Sequence, residues 1–136
     1  MLQCDFAYMI SSNMFERFVV PDLVALCDHL EHGFYHLDGK GQIPHLDLLL
    51  DIPRLWGVQW IPGSGNPPAE QWPEVLKRII DADKLCQVYV SAEGALDIVR
   101  TLGGKRFLFT ILDKMTAEEA EAFLKLLAQE DISWQG

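Results

Sequence analysis

Short apolar runs alternate along this chain with longer segments of helical period, and that alternation most constrains what it can fold into. The runs cover residues 2–7, 33–37, 57–61, 85–90 and 106–111, each bounded by turn residues or polar helix ends. Five strands each followed by a helix predict a βαβαβαβαβα order around parallel strands. Connections of that kind are normally right-handed, so the series winds in one sense. It can form an open doubly wound sheet or an arc of a barrel. No G-x-G-x-x-G follows any run, so the dinucleotide fingerprint of the open sheet is missing.

The intervening helices carry their own start and stop signals. Asn13 and Glu16 are spaced as a capping box ahead of Phe15, Phe18, Val19, Leu23, Leu26 and Leu30, and Pro21 should kink or divide that helix. Pro67 and Pro68 precede Trp72, Val75, Leu76, Ile79 and Ile80, a stripe that packs one helical face on a sheet. Ser91 is placed to cap a helix that ends at Gly103-Gly104, and Thr116 with Glu119 forms a second capping box.

The length of 136 residues suits one domain, and 49% hydrophobic with 23% charged residues is globular composition. The apolar runs fall far short of the roughly 20 residues a membrane-spanning helix needs. The opening "MLQCDFAYMISS" has neither a basic leader nor a small-residue cleavage site, an expectation against export. Cys4, Cys27 and Cys86 are odd in number and far apart, which argues against a disulfide framework and a zinc ribbon, and for a reducing cytoplasm. A net charge of -9 with scattered Lys and Arg disfavours nucleic-acid binding.

From Cys4 to about Val90 the order "CDFAYMIS", "MFERFVVPDL", "FYHLDG", "HLDLLLDIPRLWGVQWIPGSG" and "WPEVLKRIIDADKLCQVY" resembles the C-terminal half of the uroporphyrinogen decarboxylase superfamily. That superfamily includes porphyrinogen decarboxylases and corrinoid-dependent methyltransferases. The resemblance implies a partial (β/α)8 TIM barrel of about five β-α units, with residues 1–136 as a single C-terminal portion. It implies methyl transfer to or from a corrinoid protein or thiol, or else porphyrinogen decarboxylation, a lyase reaction. A third alternative is an inactive fragment or assembly module. The implied partners are a missing N-terminal barrel half or a second copy, because a partial barrel exposes strand edges and inward side chains.

Active sites of such barrels lie at the C-terminal ends of the strands. That rule selects Asp5, Tyr8, His36, Asp38, Gln59, Trp60 and Ser91. His36 and Asp38 are two apart in one strand, so both project from the same face. They are the candidate catalytic pair, and the others are candidate substrate contacts. The methyltransferase branch reads His-x-Cys-Gly here and holds zinc through the histidine and cysteine, whereas this chain reads His36-Leu37-Asp38-Gly39. Zinc on His36 and Asp38 would thus exchange a soft thiolate for a carboxylate. The family's later cysteine ligand has no counterpart, since Cys86 begins a strand, and the decarboxylases' Gly-His-Gly loop is also missing. An acidic Asp5 would repel a polycarboxylate substrate.

Three further features have simpler readings. His29 and His32 close a helix, where a cation favours the dipole, and His45 with Asp47 opens the next one. The loop "WIPGSGNPP" presents backbone N-H groups that suit an anion, yet its three prolines equally suit a rigid connector. Trp60 suits stacking on a tetrapyrrole or a place in the wall of the fold.

Overall fold

A computed structural model of the chain describes residues 1–134. Its centre is a four-stranded sheet of β1 (Gly33–Asp38), β2 (Leu55–Ile61), β3 (Leu85–Val90) and β4 (Phe107–Ile111), in that spatial order. All three pairings are parallel. The helices are α1 (Ser12–Phe18), α2 (Val20–His29), α3 (Leu46–Leu50), α4 (Pro73–Asp81), α5 (Ala92–Leu102) and α6 (Ala117–Ser133). The protein is therefore α/β. Sequential strand order has no reversal, which distinguishes it from a doubly wound sheet with a switch point and is consistent with an arc of an α/β barrel.

Right-handed crossovers in a sequential sheet place every helix on one face. Burial follows that rule. Tyr35 and Leu37 of β1, Val58 and Trp60 of β2, and Cys86, Val88 and Val90 of β3 form the core with Phe15, Leu23, Leu76, Ile79, Ala95 and Ile98 from the helices. Phe15 of α1 meets Tyr35 edge-on at 6.4 Å, and Trp72 beside α4 meets Trp60 edge-on at 5.4 Å. The alternate residues of the strands turn to the opposite face, which no helix covers among the described residues: Tyr89 is 42% and Leu108 46% exposed. Purely parallel sheets ordinarily bury both faces.

Four of the five expected strands form. The run at residues 2–7 does not: only Leu2 bridges to Tyr35, and Asp5–Met9 closes into a 3-10 helix. The cause is local and tertiary together, since Cys4 C=O already accepts from Ala7 N-H at 3.0 Å and the Ala7 C=O is taken by His45. The sheet thus has one bridge where a fifth strand was expected.

The helix signals fare better. Pro21 divides the first helical segment into α1 and α2 and sits in the first turn of α2, where its missing N-H is harmless. The cap of α1 is Ser11 rather than Asn13, its hydroxyl accepting from Met14 N-H. Pro73, not Pro67 or Pro68, stands at the start of α4, whose Val75, Leu76 and Ile79 are buried as the stripe requires. Ser91 caps α5, which stops at Gly103 with φ of 74°, and Thr116 with Glu119 completes both bonds of the α6 capping box. Among the described residues no helix is long and apolar enough to cross a membrane.

Candidate functional site

The uncovered face is where the polar strand residues gather. In β1, burial alternates so that Phe34, His36 and Asp38 share this face while Tyr35 and Leu37 face the helices. Parallel register sets His36 beside Gln59, and Gln59 beside Gln87. The Phe34 ring fills the notch over Gly57, where any Cβ would also stand 2.6 Å from the Leu85 carbonyl oxygen. Glycine at this position leaves room for the Phe34 ring against the strand.

His36, Gln59 and Tyr89 form a hydrogen-bonded ladder across β1, β2 and β3. His36 Nδ1-H donates to Gln59 Oε1 at 2.5 Å, and Gln59 Nε2-H donates to Tyr89 Oη at 3.4 Å. Gln59 is only 5% exposed, so its amide is shielded between its two partners while Tyr89 reaches solvent. With Nδ1 donating, the neutral imidazole of His36 leaves Nε2 as an acceptor, and the Tyr89 hydroxyl, already accepting, keeps its proton for another partner. A histidine, an amide and a phenol thus meet on one face with a base-capable nitrogen and a hydroxyl donor left over.

The candidate residues divide among several places. His36 and Gln59 are joined directly, and Asp38 is exposed on the same face at the strand end. Tyr8 lies beside this end of β1, its ring occupying the space a side chain at Gly41 would need. Asp5 belongs to the first turn of the 3-10 helix and is exposed. Ser91 spends its hydroxyl on the α5 cap, accepting from Gly94 N-H at 3.0 Å. Trp60 lies on the helix-covered face with no exposed surface, so it is wall and not shelf. The expectation that it contacts substrate is corrected by strand parity: Gln59 faces the open side, and its neighbour must face the other.

Tyr89 was missed by sequence reasoning. It precedes the last residue of β3, and the rule of taking strand ends selected Ser91 instead. Period-2 alternation marks Gln87 and Tyr89 as one face, but which face depends on a register that only the folded sheet supplies.

The other histidines have structural partners. His45 is buried, its Nε2-H donating to the Ala7 carbonyl at 2.8 Å and its ring stacked on Phe15 at 4.4 Å. It is the N-cap residue of α3, as its place in the sequence suggests, and it also anchors the N-terminal 3-10 helix. Asp47 does lie in the first turn of α3, and also accepts from Arg78 Nη2 at 2.7 Å. His29 Nδ1-H donates to the Ala25 carbonyl at 2.8 Å, and His32 packs edge-on against Trp56 at 4.1 Å. In the loop after β2, Asn66 Nδ2-H donates to the Pro62 carbonyl, which favours the connector reading.

A resident zinc does not fit the donor set. Among the described residues no group of three or more His, Cys, Asp or Glu side chains is gathered, and a zinc centre draws at least three ligands from protein. Cys86 lies on the helix-covered face, where burial raises its thiol pKa and disfavours the thiolate a metal would need. Burial, and secondarily Asp28, raises the Cys27 thiol likewise. No family model, curated protein or solved structure matches the chain.

Proposed function

We propose that the uncovered face of the sheet is a small-molecule site in a barrel protein of the uroporphyrinogen decarboxylase type. The observation that carries this reading is the ladder of His36, Gln59 and Tyr89, three polar side chains from adjacent strands on a face that no helix covers among the described residues. In an α/β barrel that face is the interior, and ligands enter at the C-terminal strand ends. The sequential strand order supports the partial (β/α)8 architecture, to be completed by an N-terminal barrel half or by self-association.

By its sequence resemblance the chain belongs with the methyltransferase-like branch, with a corrinoid protein or thiol as the other reactant. His36 would contact the reacting group and Asp38 the polar end of the substrate. The incomplete zinc donor set favours a second reading, a metal-independent carboxy-lyase in tetrapyrrole synthesis, in which His36 and Tyr89 handle protons. The three free cysteines suit a cytoplasmic setting for either reaction.

Elemental analysis and a coproporphyrin titration of the purified full chain separate the readings. Stoichiometric zinc lost in His36→Ala supports the methyltransferase branch. Metal-free protein that binds coproporphyrin, and loses it in His36→Ala, supports the lyase. Protein that binds neither and associates tightly with a second polypeptide supports the assembly role and overturns both enzymatic readings.

A further inference from the structure

Gln59 is an unusual residue to find at 5% exposure on a sheet face that is otherwise half open. A buried primary amide needs partners for both of its ends. Here the partners are one titratable ring and one phenol, on opposite sides, from the strands flanking β2. Neither is a fixed donor or acceptor. A neutral imidazole nitrogen takes either role according to its tautomer, and a hydroxyl takes either by rotation. The amide alone has one end of each kind.

We propose that Gln59 is a positioning residue that sets the hydrogen-bonding polarity of the whole site. With Oε1 toward His36, the proton of the ring is held on Nδ1 and Nε2 is left as a lone pair. With Nε2 toward Tyr89, the phenol oxygen is filled and its proton is directed outward. One amide orientation therefore fixes both tips at once: His36 accepts and Tyr89 donates. Reversing the amide would invert both together, so the two tips remain complementary to each other in either orientation. A ligand matched to this face carries an acidic O-H or N-H toward His36 and an oxygen acceptor toward Tyr89. The inference rests on the proposal that this face is the site, but the tautomer itself is measurable whatever the ligand.

The test is long-range 1H-15N correlation of the histidine rings in the uniformly labelled full chain, at a pH where His36 is neutral. His36 is assigned by its disappearance in His36→Ala. The expected result is Nδ1 in the protonated and Nε2 in the unprotonated range. Gln59→Leu, which removes the amide at similar volume, should relax His36 to a mixture of tautomers. Gln59→Glu, which still offers an acceptor to Nδ1-H, should keep the wild-type pattern, and Gln59→Met, which likewise lacks an acceptor, serves as the second variant if the leucine protein does not fold. A wild-type His36 protonated on Nε2, or a tautomer ratio in the acceptor-free variant equal to that of the wild type, would overturn the proposal. Failure of zinc or coproporphyrin to bind leaves this result standing, so the two readings fail separately.

Discussion

The two faces of one sheet are built from alternate residues of the same strands and are finished in different ways. Toward the helices stand Tyr35, Leu37, Val58, Trp60, Cys86 and Val88, all without exposed surface. Toward the open side stand Phe34, His36, Gln59, Gln87, Tyr89 and Leu108, polar and apolar mixed, with Tyr89 and Leu108 exposed. The covered face is mostly close packing, with the Tyr35 hydroxyl donating to Gln42 and the Trp60 indole N-H buried without a partner. The open face carries side chains with hydrogen-bonding capacity to spare. A parallel sheet ordinarily hides both faces, and here, among the described residues, helices cover only one.

Substitutions on the two faces should therefore differ in kind. Trp60→Ala removes the largest fully buried side chain and its contact with Trp72, and should cost about 3–5 kcal/mol in urea unfolding. A smaller cost, with altered ligand binding, would move Trp60 back to the site.

Alkaline pH attacks the covered face next. Burial raises the pKa values of Cys86, Cys27 and Tyr35, so the unfolded chain loses these protons first. Their stabilisation is complete below the thiol value of 9.0 and is lost as pH rises beyond it. Lys84 acts in the opposite direction, because burial lowers its pKa and the folded chain sheds that proton earlier. Cys86 and Tyr35 carry the large shifts, and both act in the same direction, so unfolding free energy should fall with pH above about 9. Cys86→Ala should flatten the decline, and an unchanged slope would assign it to other groups.

Smaller effects sharpen the contrast. Ser91→Ala should cost about 1 kcal/mol through the lost α5 cap and leave ligand binding unchanged. A binding defect would return Ser91 to the list of contacts. His36→Ala should abolish binding at the open face and cost about 1–3 kcal/mol of stability, because it leaves the buried Gln59 amide oxygen without its donor.

The covered face was largely legible in the sequence. The stripe of Val75, Leu76 and Ile79, the caps at Ser91 and Thr116, and the division at Pro21 each express a local rule that the tertiary structure does not oppose. Four strands were placed within a few residues for the same reason. The run at residues 2–7 failed because its apolar content reflects contacts made by a 3-10 helix, with Ala7 buried and its carbonyl held by His45. The site was half legible. His36 and Gln59 were selected by position at strand ends, but their bond and the role of Tyr89 depend on inter-strand register, which no single strand encodes. Lys84 was also invisible: its ammonium donates to the carbonyls of Ile52 and Leu55 at 2.8 Å each, tying the β2 approach to the start of β3. Nothing in a lysine beside Asp83 announces that burial.

The claim that the open face is an interior awaiting completion is tested most directly by sedimentation velocity of the full chain. The account predicts self-association through the uncovered face and the free edge of β4, reversed in Leu108→Glu. A monomer at all concentrations, with a sharp cooperative thermal transition, would contradict it.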